Sequence, residues 1–443
     1  MHHSHEALDR AGGLTRVGLL LPLRDPEFRK LWLAMCVSLL GDGAFLVAVA
    51  WQVYELSNAP TAMSVVGIAM TVPTIAFLLI GGVASDRFDR RKVMVAADLL
   101  RAVAGAALAV LALTHAIEVW QIAVIAAVYG TGAAFFAPAF DALVPDIVPP
   151  ERLAQANALD QLMRPIVFRM AGPAIGGVLV ASASAGAVFA LDAASFIVSA
   201  TTLLLVRVAA MPPARGPSSS VRRDLAEGWR FVRARAWLWV TFASAAVAYL
   251  CFMGPVEVLL PYVVKNDLEG SARDLGMVFA AGGVGSVACA IAMGQRDLPR
   301  RGITFIYACW TFATIAVAGY GVASAIWQLM LAAVAFNALE TAGTIVWATL
   351  KQRHVPRRML GRVSSLDWLI SIGLLPVSFA LTGPVVSALG ARGTLVVAGV
   401  VGAVVTGAAY FVPGVRDVES EAASVAPAAS LEGRTSGVLA DAG

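Results

Sequence analysis

The chain has 443 residues, of which 59% are hydrophobic and 14% charged, and its formal net charge is +4. Because soluble domains hold about 25% charged residues, this composition excludes a water-soluble globular protein and indicates a chain embedded largely in a membrane. So small a net charge also gives no support to nucleic-acid binding. The four cysteines lie apart in apolar stretches, so neither a disulfide framework nor a zinc site is predicted.

Twelve apolar stretches are long enough to cross a bilayer as helices, which takes about 20 residues each. Six of them precede residue 207, at 30–54, 62–84, 93–114, 119–139, 153–180 and 185–206. Six more follow residue 236, at 237–264, 275–293, 303–322, 326–350, 367–389 and 394–412. The sequence therefore predicts an all-α membrane protein with twelve transmembrane helices and no cleavable signal peptide ahead of the first.

Lysine and arginine are unevenly divided between the loops that connect these spans. Loops on the N-terminal side hold clusters such as 87–92 and seven arginines within 207–235. The opposite loops hold only Lys265, Arg273 and Arg392. Since cytoplasmic loops carry the excess of Lys and Arg, both termini are predicted to lie in the cytoplasm, in a cell (inner) membrane of the bacterial type.

Three segments lie outside the spans. Residues 1–27 are predicted to form a cytoplasmic N-terminal segment, and residues 413–443, rich in Ser, Ala and Gly, a disordered cytoplasmic tail. Residues 207–236 are predicted to be a cytoplasmic linker in which 221–235 forms an amphipathic helix on the inner leaflet, drawn by anionic headgroups. A regulatory role for this helix is the alternative.

The two sets of six spans share an internal repeat. Residues 148–162 align without gaps on 355–369, with six identical positions, and each segment leads into the fifth span of its set. A repeat of this kind indicates two structurally equivalent units. We therefore expect two pseudo-symmetric six-helix bundles, 28–206 and 237–412, that rock about a substrate site between them near mid-membrane.

The loop after the second span, 82–92, resembles the signature loop of the major facilitator superfamily, with Asp89 where the family has glycine. The resemblance implies a conformational latch at the cytoplasmic seam. In it, Gly82 lets two helices approach closely, and Asp86 meets the positive N-terminal end of the eleventh helix. The arginines are expected to pair across the seam. The residues assigned to the latch are Gly82, Asp86, Arg87, Arg90 and Arg91.

A second motif lies in the fifth span, where the segment 172–177 resembles the exporter signature of the same superfamily. Pro173 is expected to bend the helix, and the small residues to let it pack against a neighbour. Leu159, Phe168 and Ala126 stand where exporters of this kind usually carry further glycines and a fourth-span arginine. Local stretches such as 28–32 are similar to the branch that contains enterobactin, macrolide and multidrug exporters. The residues assigned to the exporter motif are Gly172, Pro173, Gly176 and Gly177.

Acidic residues inside the spans are candidates for proton coupling, since a charge at mid-bilayer costs several kcal/mol unless it is paired, neutralised or hydrated. Asp42, between two glycines midway along the first span, is the leading candidate. For Asp42 the alternative interpretation is burial in an ion pair. Glu340 in the tenth span and Glu257 in the seventh are the other candidates, and a place at the cavity rim is the alternative for Glu257. Asp192, in the outer third of the sixth span, is a weaker candidate.

Basic residues inside the spans differ in their neighbours. The spacings of Asp98 with Arg101 and of Asp160 with Arg164 predict that each pair neutralises itself on one helix face. Arg169 has no such partner and is predicted to hold an anionic cargo or the first-span carboxylate. Aromatic residues could line a pocket for amphipathic molecules, or simply pack between helices. The residues assigned to substrate binding are Arg164, Arg169, Phe45, Phe136, Trp310 and Phe336.

These features together predict a secondary-active exporter, a proton antiporter that moves amphipathic small molecules or drugs out of the cell by alternating access. The chain lacks a phosphate-binding loop for ATP, so the proton gradient is the expected energy source, with no cofactor and no metal. The expected partners are the lipid bilayer and a small-molecule substrate, without nucleic acid, and a monomer is expected. A dedicated siderophore or metabolite exporter is the nearest alternative, followed by an uptake symporter. An enzyme is not expected, because the histidines lie in tails or near loops.

Overall fold

The computed structural model of the protein describes residues 21–149, 152–207, 221–295 and 299–419. In the N-terminal half, the helices are α1 Pro26–Leu56, α2 Pro60–Arg87, α3 Arg90–Leu113, α4 Val119–Ile147, α5 Leu153–Arg164, α6 Gly172–Ser182 and α7 Ala185–Leu204. A π-helical segment, Pro165–Ala171, joins α5 to α6, so together they form one span.

The linker contains helix α8, Val221–Arg233. In the C-terminal half, the helices are α9 Ala236–Tyr262, α10 Ala272–Gly294, α11 Gly302–Val322, α12 Ile326–His354, α13 Arg357–Gly373 and α14 Leu375–Ala409. A π-helical turn, Val263–Asp267, extends α9 at its end. Within the described ranges the chain is helical, without strands.

Eleven described helical stretches are long and apolar enough to cross a membrane. The last, Arg362–Ala409, is interrupted at Gly390, whose φ of 70° and ψ of 170° are not helical. Glycine adopts positive φ without the steric cost that a Cβ imposes. The break separates the two predicted spans 367–389 and 394–412, and the prediction of an all-α protein with twelve apolar spans is confirmed.

The first and third helices each begin at an aspartate whose side chain caps the helix. Asp25 accepts hydrogen bonds from the backbone N–H of Glu27 at 2.9 Å and of Phe28 at 3.3 Å, which caps α1. Asp89, the residue that departs from the superfamily pattern, caps α3 by accepting from the backbone N–H groups of the two residues after Arg90. An aspartate therefore serves at this turn as a helix cap with φ of −58°, a conformation that does not require glycine.

The two halves repeat the same packing. The second and fourth spans pack together in each half (α2 with α4, α10 with α12), as do the third and sixth (α3 with α7, α11 with α14). The repeated segments 148–162 and 355–369 both begin where the fourth span of their half ends, at Ile147 and at His354. This placement agrees with the position predicted for the repeat.

The halves meet towards one end of the bundle. We call the end with Arg90, Arg91 and Lys351 the basic end, and the opposite one, with the turns at 57–59 and 323–325, the far end. At the far end the Tyr54 hydroxyl donates to the Val258 carbonyl at 2.6 Å, and Lys265 donates to the Tyr54 carbonyl. In the described ranges, α5 and α13 at the basic end pack mainly within their own sides. Contacts between the halves therefore hold the bundle together at the far end.

The exporter-like segment forms two helix contacts. A Cβ added at Gly172 would lie 2.7 Å from Gly43 Cα of α1, and one added at Gly176 would lie 2.6 Å from the Ala44 carbonyl oxygen. Gly177 faces the other half, against α10. Hence the absence of side chains lets this span pack closely on both neighbours, as predicted for the motif. Pro173 is buried at the first turn of α6, just after the π-helical segment.

The linker contains the predicted helix, whereas the beginning of the tail differs from expectation. Helix α8 packs on α13 through Gly228 and an ion pair from Glu227 to Arg362, and Trp229 remains 48% exposed. The prediction of disorder for 413–443 is wrong for 413–419, because Val415 and Val418 are buried against the C-terminal half. The Glu419 carboxylate also accepts the backbone N–H of residue 304 at 2.8 Å, which caps α11. Residues 1–20, 208–220 and 420–443 of the predicted segments lie outside the described residues.

We expect Gly177→Ala to destabilise the protein, because the new Cβ would lie 2.6 Å from the Ala272 carbonyl oxygen and 2.9 Å from Gly276 Cα. Overpacking of this kind costs about 1–3 kcal/mol. Thermal unfolding of the detergent-purified protein measures the effect. Gly294→Ala, where an added Cβ meets nothing within 4 Å, is the matched control and should leave the melting temperature unchanged or raise it. Equal melting temperatures for the two variants would contradict the close contact between α6 and α10.

Candidate functional site

The N-terminal half encloses a network of charged side chains centred on Arg101. Its Nη2 donates to Asp98 Oδ1 at 2.5 Å, and its Nη1 lies 3.7 Å from Asp42 Oδ2. The guanidinium also lies over the rings of Phe196 at 4.2 Å and Phe136 at 4.8 Å. Cation–π contacts of this kind strengthen when water is excluded, and Arg101 is only 4% exposed. The cation is thus fixed between α1, α3, α4 and α7.

Tyr129 joins two carboxyl groups of this network. Its hydroxyl is hydrogen-bonded to Asp42 Oδ1 and lies 3.2 Å from Asp192 Oδ2. A phenol has one proton to donate. It can therefore donate fully to one carboxyl group, and a full hydrogen bond to the second forms when that group carries a proton and donates it to the phenol oxygen.

Charge counting points to the same pair. The network holds three carboxyl groups, Asp42, Asp98 and Asp192, around one guanidinium. Asp98 is satisfied by Arg101 and by the Ser199 hydroxyl at 2.6 Å. Asp192 is 0% exposed, and its Oδ1 has no hydrogen-bond partner in the described part of the chain. Since an unpaired buried charge is strongly destabilising, the excess negative charge of the network falls on Asp42 and Asp192.

Glycines position these side chains. A Cβ at Gly41 would meet the Asp192 carboxylate and the Ser195 hydroxyl, and one at Gly132 would lie 2.6 Å from Arg101 Cγ. Close approach of α1 to α7 and of α4 to α3 therefore depends on these two positions. Within the network the Asp42 side chain is 16% exposed, whereas that of Asp98 is fully buried. Asp42 is thus the more accessible of these two carboxyl groups.

The structure brings together some of the predicted residues and corrects others. The Asp98–Arg101 ion pair is confirmed. The alternative in which Arg169 pairs with Asp42 is wrong, because Arg101 on α3 lies closer to that carboxylate. Asp192, ranked low, belongs to the network, and sequence reasoning missed Tyr129. The available signal for Tyr129 was a hydroxyl inside an apolar span.

Arg169 instead bridges the halves. Its Nη1 donates to the Asn337 side-chain oxygen on α12 at 3.1 Å. Arg164 pairs with Asp160 at 2.8 Å, as its spacing predicted, and its guanidinium lies 5.7 Å from the Phe140 ring centroid. Both arginines remain predictions as substrate contacts.

The remaining predicted acids and aromatic residues divide between the halves. Trp310, Phe336 and Glu340 line one pocket in the C-terminal half, of about 400 Å³ including its open mouth. Phe45 is only 2% exposed and stacks on Tyr129, with ring centroids 4.4 Å apart, so the structure contradicts its assignment to a substrate surface. Phe136, half-buried, faces Arg101. Glu257 is half-buried on α9, and its coupling role stays a prediction.

The predicted latch residues make contacts within their own half. Arg90 pairs with Asp146 at 2.5 Å, and Arg91 donates to the Val206 carbonyl at 2.9 Å. Pairing across the seam is therefore wrong for these two, because their hydrogen-bonding groups are taken up by Asp146 and by the Val206 carbonyl of their own half. Arg87 is exposed, and the side chain of Asp86 lies outside the described part of the structure.

The close approach of two helices that was predicted at Gly82 occurs instead at the preceding residue, Gly81. A Cβ at Gly81 would meet the Ala134 carbonyl, whereas one at Gly82 would meet nothing within 4 Å. The helix contact between α2 and α4 thus depends on Gly81, one residue, or about 100° of helix rotation, away from the predicted position.

Comparisons with known proteins identify one family for this chain. The model of the family described as transmembrane secretion effector matches residues 17–435. Macrolide efflux protein A of Streptococcus pyogenes is 24% identical over 260 residues, which cover 58% of this chain and 64% of that protein. The multidrug efflux pump Tap of Mycolicibacterium fortuitum is 27% identical over 395 residues, 86% of this chain and 94% of that protein. The enterobactin exporter EntS of Shigella boydii serotype 18 is 28% identical over 361 residues, 79% and 83% of the two chains. The match to the macrolide protein spans just under two thirds of its length.

Solved structures share the fold. A bacterial homologue of the human lysosomal transporter Spinster, inward-facing and unoccupied, has a TM-score of 0.65 at 16% identity, covering 91% of this chain and 98% of that one. A bacterial homologue of the iron transporter ferroportin, in the inward-facing state, has a TM-score of 0.63 at 16% identity, covering 87% and 99%. These likenesses confirm the predicted two-bundle fold.

We expect Arg101→Met to destabilise the protein by about 3–5 kcal/mol, because it leaves buried carboxylates without their cation. The double variant Arg101→Met/Asp98→Asn should regain part of that loss, since it removes both members of the ion pair. Thermal unfolding in detergent measures both, with the exposed Arg230→Met as the control that should leave stability unchanged. A single variant as stable as the wild type would show that Arg101 is not the central cation.

Proposed function

Because the chain belongs to the transmembrane secretion effector family of the major facilitator superfamily, we propose that it exports an amphipathic small molecule in exchange for protons. The macrolide, multidrug and enterobactin proteins to which it is similar are named as exporters. The observation that carries the proton half of the proposal is the Asp42–Tyr129–Asp192 cluster, which needs a bound proton to satisfy its hydrogen bonds.

Transport proceeds by alternating access. The excess of Lys and Arg assigns the basic end to the cytoplasm, and the likeness to two inward-facing structures supports a cleft that opens to the inside of the cell. Contacts such as Tyr54 with Val258 close the opposite end. Rocking of the halves about the α6–α10 contact then opens the far end and closes the basic one.

The proton enters and leaves through Asp42. When the far end is open, a proton from outside the cell binds the partly exposed Asp42 carboxylate and converts it to the neutral acid. Tyr129 and Asp192 hold that proton in a hydrogen-bonded chain while the cleft reorients. Release of the proton on the cytoplasmic side restores the carboxylate. Asp42, Tyr129 and Asp192 therefore exchange one proton in each transport cycle. The exchange requires no cationic side chain other than Arg101.

A dedicated exporter of one metabolite, such as a siderophore, is the second candidate. The similarity to the enterobactin exporter extends over 79% of this chain. A similarity of this length favours the second candidate more than a shared motif would. An uptake symporter receives less support, because segment 172–177 resembles the exporter signature.

We expect Asp42→Asn to reduce transport driven by a pH gradient to the level of empty liposomes. The amide keeps the size of the carboxyl group but cannot exchange a proton at neutral pH. Reconstituted protein is assayed with ethidium as a cationic probe and 2,3-dihydroxybenzoylserine as an anionic catecholate. Substrate-dependent proton flux is measured in the same vesicles with a trapped pH-sensitive dye.

Asp25→Asn is the matched control, because asparagine caps a helix about as well as aspartate, and it should transport like the wild type. Tyr129→Phe should slow gradient-driven transport about tenfold. The variant removes the hydroxyl that joins Asp42 to Asp192, and the loss of one hydrogen bond to a charged group corresponds to a change of this size. Full transport by a folded Asp42→Asn protein would remove Asp42 from the mechanism.

We expect the exposed far-end residue Asn58 to face the outside of the cell and Gln352 to face the cytoplasm. In a background without native cysteines, Asn58→Cys should react with a membrane-impermeant maleimide in intact cells. Gln352→Cys should react only after the cells are permeabilised. The opposite labelling pattern would invert the assigned topology and with it the direction of transport.

A further inference from the structure

The linker helix α8 has one side packed against the protein and one side exposed. On the packed side, a Cβ added at Gly228 would lie 3.2 Å from both Arg362 Cβ and Leu366 Cδ1 of α13. Val232, one turn later, is 0% exposed and belongs to the core of the C-terminal half. Glu227 forms its ion pair with Arg362 beside this contact. The packed side therefore attaches α8 to the C-terminal half.

The exposed side of α8 is basic. Ala226, Arg230 and Arg233 are exposed there, and Trp229 is 48% exposed. At about 100° per residue, these four positions fall within about 100° of the helix circumference. The same spacing adds the two arginines at positions 222 and 223 to this side and leaves the two acids, at 224 and 227, outside it. Neither Arg230 nor Arg233 forms an ion pair with a described side chain. The face therefore carries uncompensated positive charge around one tryptophan.

The next helix shows how close this face lies to the membrane. Two residues, Ala234 and Arg235, separate α8 from α9, which begins at Ala236 and is long and apolar enough to cross a bilayer. Three residues of chain reach at most about 10 Å, and the headgroup region on each side of a bilayer is about 5–8 Å thick. Trp239, in the first turns of α9, is 43% exposed, as is typical of this interface. The end of α8 at Arg233 is therefore at the depth of the lipid headgroups.

Charge and side-chain type together identify what this face binds. Arginine guanidinium groups donate paired hydrogen bonds to phosphate oxygens, and basic residues close to a membrane surface are attracted to anionic lipids. A soluble anion would satisfy the arginines and leave the Trp229 indole in water. In the headgroup region the indole has apolar and polar surroundings at once. An anionic membrane surface thus satisfies both kinds of side chain.

We propose that the exposed face of α8, with Trp229, Arg230 and Arg233, binds anionic phospholipid headgroups of the leaflet at the basic end. The bound lipid holds α8 at the membrane surface. Through the contact at Gly228 it also holds the first turns of α13, where the eleventh span begins. This surface is separate from the proton network, and the inference does not depend on the proposed export function.

A fluorescent probe on this face tests the proposal. Ala226→Cys, in the full-length chain without its native cysteines, is labelled with a nitrobenzoxadiazole fluorophore. The protein is reconstituted into vesicles that contain phosphatidylcholine with a nitroxide on its headgroup as the quencher. We expect quenching to be about twofold stronger, or more, when the vesicles also contain phosphatidylglycerol, because the arginines draw the face towards anionic headgroups. High salt should reduce this difference, since it screens exposed charges.

Two double variants separate the α8 face from the general charge of the basic end. Arg230→Gln/Arg233→Gln should lose the difference between the two lipid compositions. It should melt like the wild type in detergent, because both side chains are exposed and lie away from the packed side. Arg300→Gln/Arg353→Gln removes two exposed charges outside α8 and is the matched control, which should keep the wild-type difference.

Two outcomes would overturn the proposal. Equal quenching of the wild type in the two lipid compositions would assign the face to a soluble anionic partner instead of the membrane. A full difference that persists in Arg230→Gln/Arg233→Gln would show that these arginines do not bind the lipid. The measurement needs neither a proton gradient nor a substrate, so its outcome is separate from that of the Asp42→Asn transport experiment.

Discussion

An ionised side chain is stable inside a membrane protein only when opposite charge and hydrogen bonds replace the water it has lost. In the N-terminal half, Arg101 meets this condition by pairing with Asp98 and approaching Asp42, between two aromatic rings. The helices that supply these groups can reach one cation because Gly41 and Gly132 leave room for them. Once three carboxyl groups surround one guanidinium, electrostatic balance favours a proton among them. Helix packing and charge balance in this half therefore have one common cause.

The two halves have the same helix packing and different interiors. The N-terminal half is filled by ionic and hydrogen-bonded groups around Arg101, whereas the C-terminal half keeps an aromatic pocket with the single carboxylate of Glu340 in its wall. Between them, Gly177 and Gly276 bring α6 and α10 close enough for backbone contact. A contact without interlocking side chains suits two bodies that turn against each other.

Local features of this protein were predictable from neighbours along the chain. The ion pairs Asp98–Arg101 and Asp160–Arg164 follow from helical spacing, and the close packing of segment 172–177 follows from its small residues. Predictions failed where a contact involved a helix distant in sequence. The partner of Asp42 comes from α3 and not from the span that carries Arg169. Phe45 was predicted to line a pocket because it is aromatic. It stacks on Tyr129 instead, because it lies three residues from Asp42 and therefore on the same face of α1, which faces the network.

The amino-acid sequence alone determined the membrane class, the twelve spans, the two-fold repeat and the distribution of basic residues between the ends, because each depends on composition, periodicity or charge along the chain. Tertiary structure decided which acids share a site, which arginine neutralises them and which aromatic side chains remain accessible. Those outcomes depend on the rotation and depth of each helix relative to its neighbours. Helix rotation is set by close contacts at single glycines, and a shift of one residue, as between Gly81 and Gly82, turns a side chain to a different neighbour.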